Sequence, residues 1–241
     1  ESIQQYYPVT AMSFWVDHHL WGAWTLPAHL ENVLLHGGSA VLFWMLLKRL
    51  QIRGAWLAAA LFAMHPVMVE SVAWMTERKN VLCTFFALAA LLAHGKAAGW
   101  WESKEGHGKF FAELLAVMLV VIALLSKVSA AVLPGVVMVV GWWRSGTLRW
   151  RADGLRVLPW IVLSMPIIWL TSLLEQAQVV GGDWLPALPL SDRLMLAGQL
   201  PWFYLGKLLW PAHLCVLYEK WVLAGWQWLG LIMLITTLAV L

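Results

Sequence analysis

Charge is scarce in this 241-residue chain: Asp, Glu, Lys and Arg make up 12% of it, about half of the roughly 25% usual in a soluble domain. Hydrophobic residues reach 61% and the mean hydropathy is +0.73, so no water-soluble core could enclose the apolar surface. Cysteine is nearly missing. Cys83 and Cys215 lie in different apolar segments without metal-ligand spacing, which excludes a disulfide or zinc framework. The strict apolar/polar alternation of a membrane β-barrel strand is also lacking. No glycine-rich phosphate loop, nucleophile elbow or metalloprotease helix occurs, so the templates of soluble enzymes are absent. A net charge of +3 gives no ground for nucleic acid as a partner.

What the chain has is a succession of continuous apolar runs with short polar breaks and 19 tryptophans. A bilayer core takes about 20 mainly apolar residues per helix. The reading is an all-α fold, a polytopic transmembrane helix bundle of about eight spans. Residues 1–26, with Trp15, Asp17, His18, His19, Trp21 and Trp24, are too mixed to cross and are read as an interfacial segment of an outer loop. Residues 27–241 form the transmembrane domain, with spans expected near 30–47, 55–74 (broken at Pro66), 81–94, 110–125, 130–143, 157–174, 194–210 and 228–241. The chain does not open with Met and its last apolar run is short, so a piece of a longer protein is expected.

Lysine and arginine favour the cytoplasmic side. Lys48, Arg49 and Arg53, then Lys96, Lys104 and Lys109, then Arg144, Arg149, Arg151 and Arg156 fall on one face of this topology. Arg78, Lys79, Lys127 and Arg193 fall on the other and oppose the trend, which marks them for a reason beyond topology.

The most informative stretch is 65–80, which carries His65, Pro66, Glu70, Glu77, Arg78, Lys79 and Asn80. Pro66 disfavours continued helix at His65, so the span breaks near the outer interface and sets His65 and Glu70 beside a polar cavity. Ionisable groups at membrane depth are costly and face protein or water; an interfacial turn with solvated charges is the plainer reading. On the first span His29, Asn32 and His36 share one helical face, which must look into the bundle, with Glu31 beside it. That face serves packing and hydrogen bonding; no convergent carboxylate or cysteine supports a metal site. Arg78, Lys79 and Lys127 can converge where a phosphate would accept charge-assisted hydrogen bonds, against a background of ordinary snorkelling. Glu175, Asp183, Asp192 and Arg193 in the later outer loop are further candidates for a polar substrate, against the plainer reading that a wet loop is commonly charged.

Five segments carry a resemblance: Tyr6-Tyr7-Pro8-Val9-Thr10; 29–36; 65–80; Leu125-Ser126-Lys127; and 202–211. Together they resemble the membrane domain of bacterial tetratricopeptide-repeat membrane proteins, which are similar to the eukaryotic transmembrane and tetratricopeptide-repeat O-mannosyltransferases of the GT-C glycosyltransferase superfamily. The resemblance implies transfer of a sugar from a polyprenyl-phosphate carrier to a protein or glycan acceptor, outside a bacterial inner membrane; no divalent metal is evident from the residues. It implies Glu70 as an accessory acid and Arg78 and Lys127 on the carrier phosphate; His65, Lys79, His36 and Glu175 are read beside them as further substrate-binding candidates. The principal base is implied to be an acidic pair in the first outer loop, before this segment, and a repeat domain to follow it. Three positions depart from the family pattern: Met68 stands where relatives often have His, Glu31 where the position is usually uncharged, and Asn80 where the eukaryotic motif has Asp. A lipid or polysaccharide transporter, or a non-catalytic scaffold for an envelope complex, is the other reading; an acidic pair upstream favours the enzyme.

Overall fold

Prolines set many of the boundaries. Pro8, Pro27, Pro66 and Pro134 each sit in the first turn of a helical segment, where the missing N–H costs no hydrogen bond and the fixed φ suits helix entry. A computed structural model describes residues 6–101, 108–147, 150–179, 189–215, 218, 230, 232–233 and 235–236, without the side chains of 150–153 and 175–179. Among them the elements are α1 (Pro8–Trp21), α2 (Leu26–Arg49), α3 (Ala55–Met64), α4 (Val69–Ala73), α5 (Arg78–Ala97), α6 (Gly108–Ser126), α7 (Leu133–Ser145), α8 (Trp150–Val179) and α9 (Leu190–Leu209), with short 3-10 turns at Pro66–Met68, Met75–Glu77 and Val128–Val132. No strand occurs among the described residues.

Among the described residues, five segments are long and apolar enough to cross a membrane: Leu26–Arg49, Met75–Ala97, Gly108–Ser126, Val128–Ser145 and Gly154–Leu174. The pair Ala55–Met64 and Pro66–Ala73 makes a sixth if its 48° bend is one broken span. The all-α, multi-pass membrane architecture read from the sequence is therefore present. The bend falls where Pro66 places it: His65 leaves the helix at φ −69°, ψ 128°. The expected seventh span is a helix, α9, yet Asp192, Arg193 and Lys207 leave it outside the set apolar enough to cross. The expected eighth lies almost wholly outside the described residues.

The chain divides into two units, Glu1–Gln178 and Val179–Leu241. In the first, α5 packs most extensively on α6. The residues at that seam are small: Ala90, Ala116, Val120 and Ala123 are all fully buried. Hydrocarbon provides no hydrophobic drive between helices, so close backbone approach and van der Waals contact must hold them. Large apolar side chains point outward instead, as with Leu34 at 72% and Phe110 at 70% exposure, the arrangement expected where lipid is the solvent. Gly38 on α2 lets the Phe85 ring of α5 approach; a Cβ there would lie 2.8 Å from the ring.

Helix α1 inverts the amphipathicity of a soluble surface helix. Met12, Trp15, Val16 and Leu20 are exposed on one side, while Thr10, Ser13 and Asp17, at i, i+3 and i+7, make polar contacts with the rest of the unit. One end of the unit thus gathers α1, the start of α2, the Pro66 bend, the start of α5 and the close of α6. The candidate site lies there.

Candidate functional site

Three arrangements occupy this end. The first surrounds Arg78, whose side chain is completely buried at the first turn of α5. Its Nε donates to Asn32 Oδ1 at 3.1 Å and its Nη2 to the Ala28 carbonyl at 3.0 Å. Nη1 pairs with Asp17 Oδ2 and with Glu31 Oε2 at 3.1 Å, and reaches Ser13 Oγ at 3.4 Å. The guanidinium lies 4.7 Å from the centre of the Phe14 ring. A cation at a helix N-terminus meets the unfavourable end of the macrodipole, and the two carboxylates offset both this and the loss of hydration. Asn32 also donates to the carbonyl of Trp74 at 3.1 Å. Arg78 therefore ties α1, α2 and the Met75–Glu77 turn together, and every nitrogen of its fork is taken by protein.

The second arrangement centres on Asn80. Its Nδ2 donates to Ser71 Oγ at 2.9 Å and to Glu77 Oε2 at 2.7 Å, and its Oδ1 accepts from Lys127 Nζ at 2.5 Å. Glu77 also pairs with Lys79 at 3.1 Å, and Lys79 lies 5.6 Å from the centre of the Tyr7 ring. Lys127 directly follows the last residue of α6, in extended backbone. Its surroundings pin it: Thr10 Oγ1 donates to the Ser126 carbonyl at 3.2 Å, and the Cys83 thiol points at the Lys127 carbonyl at 3.8 Å. Among the described residues no carboxylate pairs with Lys127. Its partner is a neutral amide, so its charge is oriented without being neutralised.

The third is a cleft of about 310 Å³ between α2 and the bend, lined by His29, Val33, His36, His65, Met68 and Val72 among others. His36 Nε2 bonds to the Ala63 carbonyl at 3.0 Å, and His65 Nδ1 accepts the Val67 N–H at 3.2 Å, capping the turn after the break. No group of three or more His, Cys, Asp or Glu among the described residues is placed to hold a metal ion.

The residues singled out from the sequence are thus sorted. Lys79 and Lys127 join one network through Glu77 and Asn80, Arg78 belongs to another, and His36 and His65 line the cleft. Glu70 is exposed on α4 and does not line the cleft, although Ser71 beside it is bonded to Asn80. Glu175 lies in α8 with its side chain outside the described residues, and Asp183 is outside them altogether. Sequence reasoning did not pair Asp17 with Arg78, nor place Ser71 in the Asn80 network. The 10, 13, 17 spacing on α1 was the available signal for Asp17; Ser71 gave none.

These features define a multi-pass helical membrane protein with a polar, cation-bearing mouth at one end of its bundle. Over 131 residues it is 37% identical to a protein O-mannosyl-transferase of Caenorhabditis elegans, covering 52% of this chain and 17% of that protein. It is 34% identical over 142 residues to the protein O-mannosyl-transferase TMTC4 of Homo sapiens, covering 52% of this chain and 19% of the relative. Over 97 residues it is 36% identical to TMTC2 of Mus musculus, covering 39% and 12%. The resemblance to O-mannosyltransferases read from the sequence is thereby present across about half of the chain, and the chain spans less than a fifth of the length of these relatives. No family model matches, and no solved structure does.

Proposed function

We propose that this chain is the membrane-embedded part of a glycosyltransferase that moves a sugar from a polyprenyl-phosphate carrier to a protein hydroxyl, on the extracytoplasmic side of a bacterial inner membrane. The likeness to protein O-mannosyl-transferases supports the reaction class, and one observation carries the site: Lys127 Nζ is held by Asn80 with its charge uncompensated. In the reaction the acceptor oxygen attacks the anomeric carbon, the bond from that carbon to the phosphate oxygen breaks, and the hydroxyl proton passes to a carboxylate. Lys127, with Lys79 nearby in the network, takes up the charge that develops on the departing phosphate. Glu70 acts as the accessory carboxylate that orients the acceptor, and the principal base belongs to the acidic pair implied upstream. The cleft at His36 and His65 receives the first isoprene units against Val33, Met68 and Val72.

Arg78 has no part on the phosphate in this scheme, because its donors are already spent on Asp17, Glu31, Asn32 and Ala28. The test supplies radiolabelled polyprenyl-phosphate sugars to membranes containing the protein at the length the cell makes. Lys127→Ala should lower transfer by about 10²-fold, the loss typical of one charge-stabilising donor, and Glu70→Gln by less. Undiminished transfer in both variants removes the assignment.

A further inference from the structure

At the opposite end of the same unit, where α2 and α5 finish, lies a second cleft of about 230 Å³, lined by Met45, Arg49, Leu92, Lys96 and Trp101. Its wall is built rather than incidental. Gly95 is buried, and a Cβ on it would fall 2.0 Å from the Trp101 ring, so only glycine admits the indole against α5 at that point. The Arg49 guanidinium sits 5.9 Å from the centre of that ring, a geometry that orients a cation without neutralising it. Among the described residues neither Arg49 nor Lys96 pairs with a carboxylate. Both stand in the last turn of their helices or just before the end, and Met45 and Leu92 continue the cleft along the apolar flank.

We propose that this cleft binds the phosphate of an anionic phospholipid, with Arg49 and Lys96 on the phosphate oxygens, Trp101 as the seat, and Met45 and Leu92 along the first acyl methylenes. Two cations with an adjoining apolar wall match an amphiphile with a charged head better than a soluble anion. Basic pockets between membrane helices on the cytoplasmic side characteristically take such headgroups. The remaining cations at this end, including Lys48, Arg53 and Arg144, supply a general field; Arg49 and Lys96 supply a place. The site is separate from the transfer reaction and does not depend on it.

Native mass spectrometry of the delipidated protein, titrated with dioleoyl phosphatidylglycerol or dioleoyl phosphatidylcholine, reads this directly. The anionic lipid should bind about thirtyfold more tightly, as two cations at about 1 kcal/mol each allow. Arg49→Gln combined with Lys96→Gln should abolish the preference. Arg53→Gln combined with Arg144→Gln removes equal charge from the same end and should keep it. Gly95→Ala, which displaces Trp101, should weaken the preference while thermal unfolding reports whether the fold is kept. Equal loss in the two double variants would make the effect a diffuse field and overturn the site. Displacement of the lipid by excess inorganic phosphate would reassign the cleft to a soluble anion and overturn the lipid assignment. Preference retained in Arg49→Gln with Lys96→Gln also overturns it.

Discussion

Arg78 and Lys127 stand at the same end of one bundle under opposite conditions. Arg78 is sealed from solvent, faces two carboxylates and gives each nitrogen of its fork a protein acceptor. Lys127 is half-buried, faces no carboxylate among the described residues, and spends one donor on a neutral amide. Both oppose the distribution of cations along the chain, so topology alone would rank them equally. The difference lies in what remains to be bound. A cation whose donors are consumed holds helices together, whereas one that is aimed and uncompensated retains affinity for an incoming anion.

The sharpest way to break this comparison is to remove the sealed cation. Arg78→Ala leaves Asp17 with a lost counter-charge in a largely desolvated position, and loss of one partner of a buried pair costs about 3–5 kcal/mol. Unfolding in detergent should show a shift of that order, and Arg78→Lys, which keeps the charge but not the fork, an intermediate one. Lys127→Ala, measured the same way, should lose about 2 kcal/mol, the worth of one hydrogen bond from a charged donor, although its transfer falls far more. Equal destabilisation by Arg78→Ala and Lys127→Ala would erase the distinction.

The next variant sharpens it. Asn80→Asp places a carboxylate against Lys127 and also against Glu77, whose Oε2 now accepts from the Asn80 amide. The new ion pair neutralises the lysine while the second contact turns repulsive, so stability should change little. Transfer should fall about tenfold, since a charge-assisted bond to phosphate is roughly twice as strong as a neutral one and part of that gain is forfeited. Initial rates at several donor concentrations check this, with the loss expected chiefly in kcat because the charge develops as the bond to phosphate breaks; an unchanged kcat/KM would place the donor phosphate away from Lys127.

Much of the fold was legible because lipid imposes one requirement on every span: continuous apolarity. The long runs and the break at Pro66 follow from that and from proline's missing N–H. Less legible was α9, where Asp192, Arg193 and Lys207 interrupt an otherwise apolar helix and make its length a poor guide. The cations were found by their position against the charge trend, and their sorting into separate networks was not, because it depends on the rotation of α5. Consecutive residues of a helix point about 100° apart. Arg78 and Asn80 therefore point to different partners, while the long side chain of Lys79 still reaches Glu77 beside Asn80, and the sequence alone does not say which of the three meets Asp17.

The smallest expected effect concerns the contact that links the two cations' surroundings. Thr10 is fully buried on α1, the helix that also carries Asp17, and its hydroxyl donates to the Ser126 carbonyl immediately before Lys127. Ser126 closes α6, so its carbonyl has no amide of a following turn to accept from. Thr10→Val keeps the shape and removes the donor, which should cost about 1 kcal/mol of stability by the same detergent unfolding. Transfer should decline by no more than about threefold, because Asn80 and Cys83 still hold Lys127 from α5, and loss of one neutral hydrogen bond among several is of that size. Transfer reduced as far as in Lys127→Ala, with unfolding unchanged, would mean that α1 acts on the reacting groups directly. Asp17 would then have to be weighed as chemistry rather than as the counter-charge of Arg78.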